Sequence, residues 1–391
     1  MYKIQTLNPI DPQGLAQFPP ALYTIANEIV DPDAILLRSA VLHDKELSHN
    51  IKIIARAGAG VNNIPVEKFT GLGIPVLNTP GANANAVKEL VIAGMLLACR
   101  NLCQAWEWVK TLAGDDGQLN LQIEKEKKQF AGFELPGKTL GIIGLGNIGV
   151  KVANSALALG MRVIGFDPTI TIKRAWELSA NVEEALQLDD LIKQADFISL
   201  HVPFLPETKH LINSQRLQLM RDTAILLNFS RDGIVDKDAL KSALDNKRIA
   251  SYVCDFPCGQ LKNHPQVVSL PHLGASTEEA ETTCAIMAAK QIRDYLEYGT
   301  IANSVNFPSV EMPFNQGRRL AIVNANIPNM VAQISSKLAA DNLNIIDLLN
   351  KSRDEIAYTL IDISGQVSEN LLQEIKAIDG VIGARLIQKL N

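Results

Sequence analysis

Three glycines at a characteristic spacing are suited to hold the phosphates of a dinucleotide. Gly144, Gly146 and Gly149 follow an apolar run and open a segment with helical periodicity. The first permits a tight strand-to-helix turn, the second lets backbone approach a pyrophosphate, and the third lets helix and strand pack closely. Because a helix N-terminus binds phosphate oxygens, this segment predicts a dinucleotide site, and we assign the intervening Asn147 and Ile148 to it.

An acidic residue stands where such a site needs one. Asp167 ends a second apolar run, eighteen residues after Gly149. A carboxylate there accepts hydrogen bonds from an adenosine ribose and repels a 2′-phosphate, which favours NAD over NADP. Glycines alone would fit any strand-to-helix turn. Two strands, a helix and a correctly spaced acid together predict a Rossmann unit with NAD as its cofactor.

Polar side chains follow several further apolar runs, where strands are expected to end. Together with Pro203 and Gly274, which lie among them, these candidates are in chain order His201, Pro203, Thr208, Asn228, Ser230, Arg231, Asp255, His272, Gly274 and Ser276. All of them except Arg231, His272 and Ser276 are assigned to cofactor binding. Open α/β sheets bind ligands outside the carboxyl ends of their strands. A guanidinium binds a carboxylate through two hydrogen bonds, and an imidazole exchanges protons near neutral pH. Arg231 and His272 thus suit the oxidation of a hydroxy acid, while taken singly they fit a loop cap and a backbone hydrogen bond.

Length and charge limit the possible functions. The 391 residues predict two or three domains, and 47% of them are hydrophobic, as in globular chains. A formal charge of −5 gives no footprint for nucleic acid or an anionic membrane. The longest apolar stretch, residues 90–99, is too short to span a bilayer, and the first residues lack the apolar core of a signal peptide. We expect a cytoplasmic protein without nucleic-acid or membrane partners.

The cysteine pattern predicts neither disulfides nor a metal site. Cys99 and Cys103 lie four residues apart on a predicted helix, and Cys254 and Cys258 flank a turn. His264 lies near the second pair, which is the one candidate metal site, but neither pair has zinc-ribbon spacing. We therefore expect both pairs to be buried free thiols and no metal to be bound.

The elements that must position these residues fall into successive regions. Residues 1–80 alternate short apolar runs with helical stretches, which is typical of βαβ units, and residues 85–113 predict one long helix. The dinucleotide segment and further strands follow, and then a helix over residues 276–298. Residues 318–391 have the pattern strand, helix, two strands, helix, strand, which predicts a ferredoxin-like βαββαβ fold.

Six motifs together resemble those of a known family. They are RAGAGVNNIP (56–65), NTPGANANAVKEL (78–90), GKTLGIIGLGNIG (137–149), NFSRDGIVD (228–236), DFP (255–257) and PHLGAST (271–277). In this order they resemble the D-isomer-specific 2-hydroxyacid dehydrogenases, and within them the branch that oxidises 3-phosphoglycerate. The resemblance covers essentially the whole chain.

The resemblance implies an architecture of three domains. A flavodoxin-like α/β substrate-binding domain is expected over residues 1–96 and 283–312. A Rossmann-type NAD-binding domain is inserted at residues 97–282, and residues 318–391 form a regulatory ACT domain of ferredoxin-like fold. We also expect a homo-oligomer, either a homodimer or a homotetramer.

The resemblance also implies a reaction. The enzyme would oxidise 3-phospho-D-glycerate to 3-phosphohydroxypyruvate with NAD, the first committed step of L-serine synthesis. Arg231 would bind the substrate carboxylate and polarise the C2 oxygen, and His272 would take the C2 hydroxyl proton. Asp255 would orient the carboxamide end of the cofactor. Ala59, Gly60 and the nearby Asn62 would contact the substrate carboxylate.

One arginine separates a phosphoglycerate site from a lactate or glyoxylate site. Arg38, in the segment ILLRSA, matches the phosphate-binding arginine of the family, although a surface arginine after a strand would look the same. Three alternatives stay open. The chain would be a hydroxypyruvate or glyoxylate reductase, a D-lactate dehydrogenase, or a weakly catalytic protein that senses NAD(H).

The sequence departs from the family at a catalytic position. Family members carry a glutamate that hydrogen-bonds the catalytic histidine about thirty residues after the arginine, where this chain has Gln260. A neutral amide would still orient His272 but would stabilise its protonated form less. We therefore expect slower reduction of the keto acid, unless another acid fills the role.

The C-terminal region carries candidate effector residues. Asn326 and Asn344 match family positions that hold L-serine in feedback-inhibited members, whereas Asn324 replaces a histidine and Asn329 a glycine. Feedback inhibition by L-serine is therefore the expectation, and a domain used only for dimer contacts is the alternative.

Overall fold

The computed structural model describes residues 1–314 and 317–387, and it forms two compact units. One unit holds Met1–Asn83 with Glu278–Asn391, and the other holds Ala84–Thr277. The three domain boundaries expected from the sequence stay predictions. Among the helices of the described ranges, none is both long and apolar enough to cross a membrane.

The N-terminal part of the first unit is built on a parallel sheet. Its elements are β1 (Tyr2–Thr6), α1 (Pro12–Leu15), β2 (Tyr23–Ala26), β3 (Ala34–Leu37), β4 (Ile53–Arg56), α2 (Val66–Gly71) and β5 (Val76–Leu77). The strands lie in the order β2-β1-β3-β4-β5, which is the flavodoxin-like order. All four residues of β3 are buried, as expected for a central strand covered on both faces.

The second unit is a seven-stranded Rossmann-type sheet with flanking helices. Its elements are α3 (Ala84–Cys99), α4 (Leu102–Thr111), α5 (Asp116–Glu126), β6 (Thr139–Ile143), α6 (Gly149–Ala158), β7 (Arg162–Phe166), α7 (Ile172–Glu177), β8 (Glu183–Glu184), α8 (Leu188–Gln194), β9 (Phe197–Leu200), α9 (Ser214–Leu219), β10 (Ile225–Asn228), α10 (Lys237–Asp245), β11 (Ser251–Cys254) and β12 (Val267–Ser269). The strand order is β12-β11-β10-β9-β6-β7-β8, and every pair is parallel. This is the doubly wound order expected around a dinucleotide.

The predicted single helix over residues 85–113 is wrong, because the chain breaks between α3 and α4. Asn101 adopts a left-handed conformation with φ 50°. The carbonyl of Cys99 accepts a hydrogen bond from the Phe133 N–H at 2.9 Å. Gly132 passes so close that a Cβ on it would lie 2.0 Å from the same carbonyl oxygen. A distant segment thus takes the acceptor that a continuing helix would use.

The C-terminal part of the first unit adds a long helix and an antiparallel sheet. Its elements are α11 (Glu278–Tyr298), β13 (Arg318–Ala325), α12 (Met330–Ala340), β14 (Asn344–Arg353), β15 (Ile356–Ser364), α13 (Glu369–Lys376) and β16 (Val381–Ile387). The strand order β14-β15-β13-β16 and the βαββαβ sequence confirm the ferredoxin-like prediction. One face of this sheet packs on α11 through Val323, Leu360 and their neighbours, and the other face is covered by α12 and α13.

A buried ion pair ties this sheet to the segment before it. Arg319, fully buried on β13, donates two hydrogen bonds of 2.7 Å to the Asp362 carboxylate on β15. Its remaining N–H groups bond the backbone carbonyls of Tyr298, Met312 and Pro313 at 2.8–2.9 Å. The guanidinium therefore has a full set of acceptors, which offsets the cost of burying its charge.

All five cysteines are free, but only three are buried. Cys99, Cys254 and Cys284 are buried, whereas Cys103 and Cys258 are half-buried, so the prediction of burial is wrong for those two. Burial raises the pKa of the three buried thiols, which keeps them protonated and unreactive. No group of three or more His, Cys, Asp or Glu side chains within the described residues is arranged to hold a metal ion.

We predict that Arg319→Leu destabilises the protein by about 3–5 kcal/mol, because it leaves the Asp362 carboxylate buried without a cation. The double variant Arg319→Leu/Asp362→Leu should recover part of this loss. Urea unfolding followed by circular dichroism measures both. A double variant less stable than Arg319→Leu would contradict the ion-pair explanation.

Candidate active site

The predicted site residues of the second unit follow strand ends that lie in one row. The last residues of six neighbouring strands pair across the sheet in the order Phe166, Ile143, Leu200, Asn228, Cys254, Ser269. Parallel strands lie about 4.8 Å apart, so the row is roughly 24 Å long. The candidates from Asp167 to Gly274 therefore line one carboxyl edge, long enough for an extended ligand.

The glycine turn has the geometry that the sequence predicts. Gly144 adopts φ +96°, and a Cβ on it would lie 2.7 Å from the carbonyl oxygen of His201. A Cβ on Gly149 would lie 2.0 Å from the Gly144 carbonyl oxygen. At Gly146 nothing lies within 4 Å of a Cβ, so this backbone faces open space that a pyrophosphate can approach. The half-buried Asn147 and Ile148 complete the turn into α6.

Asp167 borders a cavity suited to an adenosine. Its carboxylate accepts hydrogen bonds from the Leu145 N–H at 2.8 Å and the Thr169 N–H at 2.9 Å, which fixes it at the end of β7. The adjoining cavity has a volume of about 350 Å³, and apolar side chains such as Leu178 line it together with Glu183 and Glu184. No lysine or arginine is among the lining residues. These residues fit the adenosine of NAD and disfavour a 2′-phosphate.

His201 is held neutral by its surroundings. One ring nitrogen, Nε2, lies 2.8 Å from the Ser199 hydroxyl, and the other, Nδ1, is buried without a hydrogen-bond partner in the described structure. Burial lowers the pKa of His201 to about 4. After it, the Thr208 hydroxyl donates to the Pro203 carbonyl at 2.6 Å and closes the loop that carries both candidates.

Asn228 shapes the loop that carries Arg231. Its buried amide donates to the Arg231 carbonyl at 3.0 Å, and its oxygen accepts from the Ser230 N–H at 3.2 Å. The Ser230 hydroxyl donates to the carbonyl of Val202, which links this loop to the one after β9. The Arg231 side chain is exposed, and its Nη1 donates to the Ser230 carbonyl at 2.7 Å. Its remaining N–H groups are available for a carboxylate.

Asp255 clamps the loop that carries His272. The buried carboxylate accepts hydrogen bonds from the Leu273 N–H at 2.7 Å and the Gly274 N–H at 2.8 Å. His272 adopts a left-handed conformation with φ 57°, and the ring of Phe256 packs edge-on against it at 5.2 Å. The imidazole is thus exposed on a loop that is held from both sides.

Gln260, the residue expected to orient His272, makes no hydrogen bond to it among the described residues. It lies in an exposed turn. The role expected for residue 260, orienting the histidine, stays a prediction. The contacts that hold the histidine loop come instead from Asp255 and Phe256.

In the first unit, the Arg38 loop is built by residues that sequence reasoning missed. The side-chain oxygen of Asn8 accepts hydrogen bonds from the N–H groups of Arg38, Ser39 and Ala40 at 2.8–3.1 Å. Arg56 donates from Nε to the Arg38 carbonyl at 2.8 Å. Asn8 follows β1 at the carboxyl edge of its sheet, so the strand-end rule applied to β1 would have found it.

The other substrate candidates lie on the turn after β4. Arg56 also donates to the Gly60 carbonyl, and Asn78 donates to the Ala59 carbonyl at 2.6 Å. These bonds fix the turn while Ala59 and Gly60 stay half-buried. Asn62 is exposed, and its carbonyl lies 3.0 Å from Nε2 of His43.

The two effector candidates lie on different segments, Asn326 directly after β13 and Asn344 at the start of β14. The Asn326 side chain donates to the Asp354 carbonyl at 3.0 Å and so supports the turn between β14 and β15. Asn344 begins β14 and is exposed. No hydrogen bond joins the two residues in the part of the chain that the structure describes, and their role in L-serine binding stays a prediction.

Comparisons with known proteins agree with this geometry. The family model for the D-isomer specific 2-hydroxyacid dehydrogenase, NAD binding domain, matches residues 92–274. A D-3-phosphoglycerate dehydrogenase of Escherichia coli (strain K12) is 33% identical over 347 residues, 84% of this chain and 79% of that protein. One of Methanocaldococcus jannaschii is 39% identical over 295 residues, 73% of this chain, and this chain spans only about half of its length (54%).

A solved structure has a similar fold. The structure of cofactor(NAD+)-bound 3-phosphoglycerate dehydrogenase from Entamoeba histolytica has 25% sequence identity and a TM-score of 0.59. The match covers 78% of this chain and 98% of that one.

We predict opposite outcomes for alanine at two glycines of the turn. Gly149→Ala should destabilise the protein by about 2–3 kcal/mol, because its methyl group meets the Gly144 carbonyl. Gly146→Ala should leave stability unchanged but weaken NADH binding about tenfold, because its methyl group occupies the approach to the backbone. Thermal melting and NADH fluorescence titration measure the two effects. Gly259→Ala, on an open loop, is the control, and unchanged NADH affinity in Gly146→Ala would count against the phosphate turn.

We predict that His201 makes stability depend on pH. Its folded pKa of about 4 lies below the ordinary value of 6.5, so between these values the unfolded chain binds a proton that the folded chain does not. Above pH 6.5 the titration of His201 does not lower the free energy of unfolding. As the pH falls from 6.5 to 4, it lowers the free energy of unfolding by at most about 3 kcal/mol. His201→Gln should flatten the fall in melting temperature between pH 7 and pH 5. The exposed His49→Gln should not, and equal slopes in all three proteins would refute the assignment.

Proposed function

The chain belongs to the D-isomer-specific 2-hydroxyacid dehydrogenases, and from this premise we propose that it oxidises 3-phospho-D-glycerate to 3-phosphohydroxypyruvate. Its cofactor is NAD. When bound, NAD supplies the acceptor for the hydride that C2 loses. The relatives named D-3-phosphoglycerate dehydrogenase support this substrate. Arg38, which resembles the phosphate-binding arginine of the family, supports it as well.

The chain's own residues supply the remaining chemistry. Arg231, exposed on the loop after β10, binds the substrate carboxylate through guanidinium N–H groups. His272 takes the proton of the C2 hydroxyl as the C2–H bond breaks, so that C2 becomes a carbonyl. In the reverse direction the imidazolium returns the proton to the oxygen. Ala59, Gly60 and Asn62 contact the carboxylate, and Arg38 binds the phosphate.

The observation that carries the proposal is the clamp by Asp255. One buried carboxylate holds the two N–H groups after His272, while Asn228 holds the loop of Arg231. The Arg231 loop follows β10 and the His272 loop follows β12, and both strands pair with β11, the strand that ends just before Asp255. The Arg231 guanidinium, which suits a carboxylate, and the His272 imidazole, which can accept a proton, thus lie on loops at one edge of a dinucleotide-binding sheet. The oxidation of a hydroxy acid requires both groups.

We extend the proposal to regulation and assembly. L-serine would bind the antiparallel C-terminal region through Asn326 and Asn344 and inhibit the enzyme, and the enzyme would act as a homodimer or homotetramer. The βαββαβ topology of this region supports a regulatory domain. Inhibition of this kind is a coupling free energy between two sites.

The test is NADH oxidation by the purified protein with 3-phosphohydroxypyruvate, hydroxypyruvate and glyoxylate, each with and without L-serine. We expect kcat/KM to be highest for the phosphorylated acid and L-serine to lower it. Equal use of the three acids would favour a hydroxypyruvate or glyoxylate reductase. NADH binding without turnover of any acid would favour a sensor protein.

We predict distinct effects for the two proposed catalytic residues. Arg231→Lys should lower kcat/KM for the keto acid about a hundredfold, because lysine cannot form the two parallel bonds to a carboxylate. His272→Gln should lower kcat by roughly 10²–10⁴-fold, because it removes the proton donor. Both variants should bind NADH like the wild type in fluorescence titration. The control is Arg221→Lys, because Arg221 lies in the same unit as Arg231 and pairs with Asp196. A wild-type kcat in His272→Gln would rule out His272 as the proton donor.

A further inference from the structure

Arg38 already has an anionic partner within its own unit. Its Nη2 lies 2.7 Å from Oε1 of Glu281, in the first turn of α11. About 39% of the Arg38 side chain and 43% of the Glu281 side chain are exposed. The pair is therefore open to solvent and to a ligand, and the guanidinium meets any incoming anion with a carboxylate at its side.

The backbones on both sides of this pair are fixed. Asn8 bonds three successive N–H groups of the Arg38 loop, and Asn63 donates to the carbonyl of Ala40 at 2.7 Å. At the other side, Thr282 donates to the Asp11 carboxylate at 2.6 Å. Helix α11 also packs tightly on α1, where a Cβ on Gly14 would lie 2.5 Å from the Cβ of Ala285. These contacts hold the two backbones, so we expect the Arg38 and Glu281 side chains to make most of the adjustment to a ligand.

This arrangement makes phosphate binding a competition. A phosphomonoester carries about −1.5 to −2 charges at pH 7, and a carboxylate within about 4–6 Å opposes it. To bond Arg38, the phosphate must displace the Glu281 carboxylate or share the guanidinium with it. A substrate whose far end is a neutral hydroxyl meets no such repulsion, because a carboxylate accepts its hydrogen bond.

We propose that Glu281 is a specificity-determining residue, which competes with the substrate phosphate for Arg38 and so limits the preference for phosphorylated acids. This inference rests on the proposed function, in which Arg38 binds that phosphate. Glu281 itself takes no part in the chemistry. Its removal should change the KM for phosphorylated acids and leave kcat unchanged.

The test is Glu281→Gln beside Glu278→Gln, an equal change of charge in the same first turn of α11. We expect Glu281→Gln to lower the KM for 3-phosphohydroxypyruvate about fivefold, the upper range for a solvent-exposed ion pair, and to leave the KM for hydroxypyruvate unchanged. Glu278→Gln should change neither value by more than about twofold. Equal effects of the two variants would overturn the proposal, since they would show only the loss of one negative charge.

The same pair of variants in an Arg38→Leu background separates competition from simple repulsion. Without Arg38 there is nothing to compete for, so Glu281→Gln should then change the KM for the phosphorylated acid by less than about twofold. A full fivefold effect in this background would overturn the competition.

Calorimetric titration with inorganic phosphate tests the inference without turnover. Glu281→Gln should bind phosphate about fivefold more tightly than the wild type, and Arg38→Leu should lose this binding. Phosphate binding that is the same in Glu281→Gln and in the wild type overturns the inference. Failure of the wild type to prefer the phosphorylated acid overturns the proposed function instead, so the two failures are distinguishable.

Discussion

The register of the seven-stranded parallel sheet is the constraint on which the site of the second unit depends. Six strands end side by side, from Phe166 to Ser269, so the loops that follow them start from one edge. Every strand of this sheet runs in the same direction, and the backbone hydrogen bonds between them fix the alignment. A slip of one residue in any pair would move its loop by about 3.3 Å and turn its side chains to the other face.

Buried and half-buried polar groups hold the loops, and the exposed side chains of Arg231 and His272 are left for chemistry. The Asp255 carboxylate, the Asn228 amide and the Asn8 amide each form hydrogen bonds with backbone groups of a loop. Asn228 and Asp255 are buried, and buried polar atoms need such partners. Arg231 and His272 remain exposed on loops that are fixed for them. Neighbouring residues thus hold the loops of the reactive groups in place before a substrate binds. Catalysis through a fixed geometry requires such preorganisation.

Helix α11 contacts both the Arg38 loop and the antiparallel sheet of the first unit. The first turn of α11 carries Glu281, which pairs with Arg38, while the residues at its other end contact the antiparallel sheet. There the Tyr358 hydroxyl donates to the Gly299 carbonyl at 2.9 Å, and the guanidinium of Arg385 lies 4.3 Å from the ring centroid of Tyr295. The sheet therefore packs on the helix that also carries the partner of the proposed phosphate-binding arginine.

The sequence by itself determined the features that local chemistry dictates. The glycine spacing, the acid at 167 and the alternation of strands and helices predicted the Rossmann unit, and the βαββαβ pattern predicted the C-terminal sheet, because periodicity and turn residues act over short distances. Tertiary structure decided the rest. The break before α4, the bonds from Asn8 and Arg56 to the Arg38 loop, and the pairing of Arg38 with Glu281 all depend on contacts between distant residues. These residues lie 18 to 243 positions apart in the chain. No local pattern encodes which distant side chain meets a given loop, because only the packing of elements brings the two together.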